Sequence, residues 1–287
     1  MKNKKLYVLP YQGIGDIMIT LGYLKEYIKK NDFQEVIIIC TESYRELYSF
    51  YDFDFARTVC ISRFCYRTLK RFFSTKVGYF ILKLNKDILC TDTIFYVGHG
   101  WKTTFGISGL NVFKFIKEGI MGIKPESKII FPQIPNAQVN YSSDIMNKKI
   151  AVLNPFSKTI SIPLWQDAYT KIARQLSELG YHIFTDCGKE NLRKPINGTE
   201  PFYGGLKESF ELCRKASVVI GTRSGYLDLM LLSGTKIIAL YDNNCENIVA
   251  MNAFNIKATA KMFGKSGDKC FQLQINEIDK LLDLVAS

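Results

Sequence analysis

The stretch SVVIGTRSGYLDLMLLSGTKIIALY, residues 217–241, reads as a strand, a tight turn, a helix and a second strand in direct succession. Its two β-branched, apolar runs predict strands at 217–221 and 236–241, and the apolar residues between them predict a helix at 224–233. This succession is the repeating unit of a parallel sheet covered by helices. The turn that precedes the helix therefore lies at the carboxyl end of a strand, where parallel sheets bind their ligands.

The same alternation extends in both directions along the chain and predicts an α/β protein. Further strands are expected at 5–10, 35–40, 57–61, 93–97, 128–132, 149–153 and 181–186. Further helices are expected from Asp16, at 42–50, 110–119, 165–179 and 206–215, and at 275–285. The segment FPQIPNAQVNYSSD, residues 131–144, is the best linker because it is rich in proline, asparagine and serine. We therefore expect two Rossmann-like domains, 1–140 and 141–287, with parallel sheets that face a central cleft.

The bulk composition fits a two-domain globular protein. The chain has 287 residues, 47% of them hydrophobic, and no uninterrupted apolar stretch of membrane-spanning length. The apolar run near the N-terminus is short and ends at Pro10, which favours a first strand over a secretory signal. The eight cysteines contain no C-x-x-C pair, which predicts free thiols in a reducing compartment, and two histidines are too few for a multi-histidine metal site. A cytoplasmic location is expected.

The net charge of +11 is concentrated in the first half of the chain. Between Arg57 and Lys86 there are eight basic residues and no acidic one. Residues 57–76 alternate basic and aromatic side chains, which predicts a cationic helix. Such a helix either packs its aromatic residues into the domain or binds anionic lipid on the inner face of the cytoplasmic membrane. The four basic residues around the expected apolar side are Arg63, Arg67, Lys70 and Arg71. No nucleic-acid recognition motif is present, so nucleic acid is not an expected partner.

A glycine motif follows the first expected strand. Gly13 and Gly15 permit a sharp turn and the close approach of a ligand, and Asp16 falls on the first turn of the next helix. The motif is not the dinucleotide fingerprint, because Met18 occupies the position of its third glycine. Asp16 is a candidate functional carboxylate at the mouth of the cleft. The alternative is that it only caps the helix.

Two further motifs have the chemistry of an anion site. In VLNPFSKTISIPLW, residues 152–165, a strand ends at Asn154 and is followed by Ser157 and Lys158, whose side chains suit phosphate oxygens. In the quoted stretch, Arg223 and Ser224 stand at the start of a helix, where free amides and the helix dipole attract an anion. The alternative for each is commonplace, namely a polar loop in the first case and a helix cap with a surface arginine in the second.

In this order and spacing, the three motifs resemble glycosyltransferase family 9, the heptosyltransferase-like enzymes of bacterial surface polysaccharide synthesis. Gly13, Gly15, Asp16 and Thr20 match the family's opening G-x-G-D-x-x-x-T. The segments 154–165 and 221–240 are similar to the family's second-domain motifs. Three positions differ: Asn154 stands where the family has histidine, Arg223 where it has aspartate, and Asp228 where it has histidine.

The resemblance implies a GT-B fold and transfer of a sugar from a nucleotide-sugar donor to a saccharide or lipid-linked acceptor, in lipopolysaccharide or capsule synthesis. It implies inversion at the sugar, with Asp16 as the base and with neither metal nor cofactor. The expected donor residues are Ser157, Lys158, Arg223, Ser224 and Gly225 at the diphosphate, with Thr222 and Asp228 at the sugar or nucleotide. The expected acceptor residues are Gly13, Gly15 and His99, the last because it lies between glycines after an expected strand.

Three other interpretations stay open from the sequence. A protein of this fold can instead be a polyol-phosphate transferase or a nucleotide-sugar epimerase. It can also be a non-catalytic subunit that binds a nucleotide sugar. Finally, Asp52 and Asp54 form a D-x-D pair, the metal-binding signature of the other large glycosyltransferase fold, although so short a motif recurs often by chance.

Overall fold

A computed structural model describes residues 4–10, 13–73, 75–91, 111–139, 145, 148–157, 162, 165–189, 193–242 and 254–286. The chain divides into two compact units, Met1–Gln133 and Ile134–Ser287. The division falls within the proline-rich and asparagine-rich segment 131–144. No helix in the described ranges combines the length and the apolar character needed to cross a membrane.

The first unit has a parallel sheet of four strands in the order β3-β2-β1-β4. Its strands are β1 (Lys5–Leu9), β2 (Glu35–Thr41), β3 (Ala56–Ile61) and β4 (Ile88–Cys90). Its described helices are α1 (Ile14–Gly22), α2 (Leu24–Asn31), α3 (Arg45–Ser49), α4 (Arg63–Phe73), α5 (Lys76–Leu84) and α6 (Val112–Lys114), with a 3-10 turn at Glu42–Tyr44 and a π-helix at Phe115–Ile120. The strand order reverses at β1, so the switch point lies between β1 and β4.

The second unit has a parallel sheet of six strands in the order β10-β9-β8-β5-β6-β7. Its strands are β5 (Lys149–Asn154), β6 (Tyr181–Asp186), β7 (Glu200–Phe202), β8 (Val218–Thr222), β9 (Lys236–Tyr241) and β10 (Cys270–Gln274). Its described helices are α7 (Trp165–Glu178), α8 (Leu206–Lys215), α9 (Gly225–Met230), α10 (Ile256–Met262) and α11 (Leu281–Ala286), with 3-10 turns at Leu231–Ser233 and Ile275–Lys280. The switch point of this sheet lies between β5 and β8.

The local patterns predicted most elements to within a residue or two, and the stretch 217–241 folds as the expected strand, helix and strand. The expected strand at 128–132 is wrong. Ile130 instead donates its amide to the carbonyl of Gly22 at 2.9 Å, and a Cβ on Gly22 would lie 2.4 Å from Ile129. This run contacts the end of α1 through Ile129 and the Ile130 amide, but the side chain of Ile130 is 41% exposed, and the run does not join the sheet. The expected strand at 93–97 lies outside the described residues.

Other differences involve short elements and helix ends. The helix expected at 165–179 ends at Glu178, and Leu179, the last residue of the expected range, is exposed. The sequence patterns missed β4, α5, β7, α10 and β10, because three to nine residues are too few for a clear period.

Candidate functional site

The switch point of the second sheet brings two of the sequence motifs together. Asn154, the last residue of β5, is the register partner of Gly221 in β8. A Cβ on Gly221 would lie 2.8 Å from the carbonyl oxygen of Asn154, so only glycine fits between the two strand ends. Beyond the strands, the Ser157 hydroxyl donates to the carbonyl of Arg223 at 3.2 Å. Residues 155–157 after β5 and Arg223 after β8 therefore lie side by side at the carboxyl edge.

Two polar atoms at this edge are buried without a hydrogen-bond partner in the described part of the chain. They are the Oδ1 atom of Asn154, whose side chain is 3% exposed, and the Oγ atom of Ser224. Ser224 is the N-cap residue of α9, yet its hydroxyl makes no capping hydrogen bond. A buried polar atom that finds no partner costs about 1 to 3 kcal/mol, so native proteins keep few of them. Neighbouring strand ends present both atoms, which is the pattern of a site that binds a polar ligand.

Arg223 does not face solvent at this edge. Its guanidinium is 2% exposed and makes a two-pronged ion pair with the fully buried carboxylate of Asp228, at 2.7 and 3.2 Å. It also donates to the carbonyls of Phe254 at 2.7 Å and Ser224 at 2.6 Å. Burial raises the pKa of Asp228, while the positive charge of Arg223 opposes that shift. The ion pair thus fixes the course of the loop that presents Ser224.

The hydroxyl of Thr222 also has a hydrogen-bond partner within the protein. Its hydroxyl lies 3.0 Å from the hydroxyl of Tyr169, and both side chains are buried. Of the residues expected at the donor, Thr222, Arg223 and Asp228 thus lie beneath the surface, whereas Ser157, Ser224 and Gly225 are half-buried on it. The donor roles of all six stay predictions. Lys158 and His99 lie outside the described residues.

Two features of this edge were missed by sequence reasoning. Arg193, from the segment between β6 and β7, stacks on the ring of Phe156, with its guanidinium carbon 4.9 Å from the ring centre. Asp186, the buried last residue of β6, accepts hydrogen bonds from the Tyr226 hydroxyl at 2.5 Å and the Gly188 amide at 3.0 Å. Burial raises the pKa of Asp186. The position of Asp186 at a strand end was the only available signal, because the contacts of Asp186 with Tyr226 and of Arg193 with Phe156 join residues far apart in sequence.

At the switch point of the first sheet, the structure puts the glycine motif where the sequence placed it. Gly13 is the N-cap residue of α1, and Asp16 is half-buried on the helix's first turn, so Asp16 is not the cap. Gly13 has an extended backbone (φ −132°), which any residue can adopt. Glycine at this position therefore contributes the space that a missing side chain leaves, and not a backbone conformation that only glycine adopts.

Behind Asp16, a buried hydroxyl pair fastens α1 to the sheet. The Thr20 hydroxyl donates to the carbonyl of Asp16 at 2.8 Å and lies 2.7 Å from the hydroxyl of Thr91, which follows β4. The motif's threonine is therefore structural. The roles of Asp16, Gly13 and Gly15 in catalysis and acceptor binding stay predictions.

The D-x-D pair precedes β3, at the amino edge of the first sheet, whereas the glycine motif follows β1 at the carboxyl edge. Asp52 and Asp54 are exposed in the loop between α3 and β3. Across the described ranges, no group of three or more His, Cys, Asp and Glu side chains is arranged to hold a metal ion.

Comparison by sequence matches no protein-family model and no curated protein. Comparison by structure finds clear similarity over nearly the whole chain. The ADP-heptose lps heptosyltransferase II of Escherichia coli is 12% identical and has a TM-score of 0.53, with 98% of each chain covered. The E. coli heptosyltransferase WaaC with ADP is 10% identical, with a TM-score of 0.54 and coverage of 98% of this chain and 99% of that one. This chain has the GT-B fold.

A third similar structure carries the family description itself. The family 9 glycosyltransferase of Veillonella parvula is 12% identical, with a TM-score of 0.52 and coverage of 99% of this chain and 90% of that one. These three structural neighbours are thus heptosyltransferases and a family 9 glycosyltransferase, the family that the three motifs resemble. At 10 to 12% identity the likeness concerns the fold, and the chemistry has to be argued from this chain's own residues.

Proposed function

We propose that this GT-B protein is a glycosyltransferase that moves a sugar from a nucleotide-sugar donor to a saccharide or lipid-linked acceptor in bacterial surface polysaccharide synthesis. The observation that carries the proposal is a pair of buried polar atoms, Asn154 Oδ1 and Ser224 Oγ, that have no hydrogen-bond partner among the described residues and lie at the switch point of the second sheet. Parallel sheets bind nucleotides at such points. The likeness of fold to enzymes whose structures contain ADP supports the same assignment.

The two atoms favour different parts of a nucleotide sugar. The Oδ1 atom of Asn154 is an acceptor and requires a donor such as a ribose or sugar hydroxyl. The Ser224 hydroxyl can donate to a phosphate oxygen, and the Ser157 hydroxyl lies on the same loop surface. We assign the diphosphate to Ser224, Ser157 and the amide of Gly225, with Lys158 as the expected cation. The helix α9 has only six residues, so its dipole adds little to this site.

The buried ion pair has a supporting role in this proposal. Because Asp228 and two carbonyls already occupy most of the N–H groups of the buried Arg223, we assign it to positioning rather than to direct contact with the diphosphate. It holds the carbonyl of Ser224, and with it the orientation of the neighbouring hydroxyl and amide. Arg193 is half-exposed at the same edge. It takes the place of Arg223 as the candidate to bind the negatively charged diphosphate of the donor.

Asp16 is assigned as the base of the transfer. The acceptor hydroxyl gives its proton to the Asp16 carboxylate while its oxygen forms a bond to the anomeric carbon. The bond from that carbon to the diphosphate oxygen breaks, and the electron pair leaves with the nucleoside diphosphate. Attack from the side opposite the leaving group inverts the anomeric centre. Gly13, which is half-buried and has no side chain, leaves room for the acceptor beside the carboxylate, whereas Gly15 is buried within α1.

A ligand screen followed by an assay of transfer tests the proposal. Nucleoside diphosphates should raise the melting temperature, because a ligand selective for the folded state stabilises it. The best nucleotide should then identify the nucleotide sugar that yields a glycosylated product only when an acceptor is present. Transfer should survive a chelator. Turnover of the donor without acceptor would favour an epimerase. If a chelator abolished transfer and magnesium restored it, Asp52 and Asp54 would become the candidate metal ligands.

A further inference from the structure

The α4–α5 pair crosses from β3 at one edge of the first sheet to β4 at the other, and its inner face completes the core. Phe73 of α4 and Leu82 of α5 pack with Leu9 of β1 and Cys90 of β4 in one buried cluster. The two helices also pack tightly on each other, because a Cβ on Gly78 would lie 2.2 Å from the carbonyl oxygen of Phe72. The sheet is thus already covered by this inner face, and the outer face is not required for the core.

The outer face nevertheless carries large apolar side chains. Phe64, Phe72, Val77, Phe80 and Leu84 are between 44% and 78% exposed. Most exposed large apolar residues of the described chain lie in these two helices, so they form a patch rather than a scatter. On α5, spacings of three and four residues align Val77, Phe80 and Leu84 along one side of the helix. Some of the aromatic residues that could have packed into the core, judged from the sequence, therefore face outward.

The same face is positively charged. Arg63, Arg67, Arg71 and Lys76 are exposed, and none of them has an acidic partner within ion-pair distance among the described residues. The sequence places no acidic residue between Arg57 and Lys86. Exposed apolar side chains ringed by unpaired basic ones are the composition of an interfacial helix: the apolar groups enter the acyl boundary and the basic groups meet anionic headgroups. A protein partner of mixed charge would not explain so complete an exclusion of acidic residues.

We propose that the outer face of α4 and α5 is a docking surface for an anionic lipid bilayer. Phe64, Val77, Phe80 and Leu84 insert at the level of the headgroups, and the four basic side chains hold the phosphates around them. No spanning helix is involved, since the two helices have eleven and nine residues and lie along the surface.

The attachment of α4 gives this surface a position relative to the glycine motif. The hydroxyl of the buried Tyr66 donates to the carbonyl of Pro10 at 2.5 Å, directly beyond β1. The first turn of α4 thus lies at the carboxyl edge of the first sheet, the edge that carries Asp16. A membrane bound there would bring a lipid-linked acceptor to the side of the unit that holds the candidate base. The docking surface itself stands on exposure and charge, independently of the proposed transfer.

Vesicle flotation with the full chain tests the surface without any substrate. Vesicles of equal parts phosphatidylglycerol and phosphatidylcholine should bind the protein at low salt, and pure phosphatidylcholine should bind it far less. Replacing Arg63, Arg67, Arg71 and Lys76 together with glutamine should weaken binding by about a hundredfold or more, since each charge near the surface contributes several-fold. The matched control replaces Lys148, Lys194, Lys261 and Lys265, four exposed lysines of the second unit, and should bind nearly as wild type.

A second pair of variants tests the apolar part. Phe64→Gln with Phe80→Gln should weaken binding by roughly tenfold or more, whereas Leu179→Gln with Tyr203→Gln, which remove exposed apolar groups from the second unit, should not. Melting temperatures close to wild type keep the comparison valid. The proposal would be overturned if the wild-type protein did not bind anionic vesicles, or if the test and control variants lost vesicle binding to the same extent. A concentration-dependent dimer that Phe64→Gln with Phe80→Gln abolishes would also overturn it, because the patch would then be an interface between copies.

Discussion

The carboxyl edges of the two sheets differ in how deeply their charged side chains are buried. At the first sheet, Asp16 is half-buried on the first turn of α1. At the second, Arg223 and Asp228 are buried against each other, and the polar atoms without partners belong to the uncharged Asn154 and Ser224. A carboxylate that solvent or substrate can reach suits proton transfer. Neutral hydrogen-bonding groups held by a rigid ion pair suit binding, so charge in a motif does not by itself mark the group that meets the ligand.

The largest effect is expected from Asp16→Asn. Transfer should fall by a factor on the order of 10² to 10⁴, the usual contribution of a general base, while the melting temperature and nucleotide affinity stay close to wild type. Turnover, calorimetry and thermal unfolding of the same preparation check this. Glu26→Gln is the matched control, because Glu26 is the exposed acidic residue in the first turn of α2. A variant that turns over normally would assign the base to another residue and remove the functional contrast between the two edges.

A large loss of stability is expected from Arg223→Ala. The substitution leaves the buried carboxylate of Asp228 unpaired, which costs about 3 to 5 kcal/mol of the free energy of unfolding. Arg174→Ala, which removes a surface ion pair with Glu178, should cost well under about 1 kcal/mol. Denaturant unfolding measures both. A loss for Arg223→Ala as small as for the surface pair would mean that the buried pair does not hold the loop.

The double variant Arg223→Met with Asp228→Leu sharpens the assignment of Arg223. Removing both charges leaves no unpaired ion, so this protein should be more stable than Arg223→Ala. If it folds and binds nucleoside diphosphate within roughly threefold of wild type, Arg223 is a positioning residue. A loss of about 1 to 3 kcal/mol in binding, as charge-assisted bonds would give, would restore the direct diphosphate contact that the sequence predicted.

A smaller effect is expected from Ser224→Ala. Since its hydroxyl caps nothing in the free protein, the substitution should change the free energy of unfolding by less than about 0.5 kcal/mol, whereas a true cap would lose about 1 kcal/mol. Nucleoside-diphosphate affinity should weaken by roughly 1 to 3 kcal/mol. Ser233→Ala, at the far end of the same helical segment, should leave that affinity intact. Calorimetry and unfolding on both variants decide whether Ser224 serves the ligand or the helix.

The fold was accessible from the sequence because its signals are local. The apolar periods of residues such as Tyr169, Ile172 and Leu176 predicted a helix whose buried side the structure confirms. The β-branched runs before Gly221 and after Gly234 predicted parallel strands, and the strand ends placed the motifs at the carboxyl edges. Where the signal was a short apolar run, as at Ile129 and Ile130, packing on a helix and pairing in a sheet could not be distinguished, and the expectation failed.

The sequence by itself thus determined an α/β chain of two units with its polar motifs at strand ends, because periodicity and turn residues act over a few neighbours. Only the tertiary structure decided what those motifs face. The hydroxyl of Thr222 lies beside that of Tyr169, and the guanidinium of Arg223 donates to the carbonyl of Phe254. Both partners are distant in the sequence. Likewise, the aromatic residues of α4 divide between the core and the outer face only once the sheet beneath them exists. Burial and pairing depend on which distant residues fill the space around a group, and no local pattern contains that information.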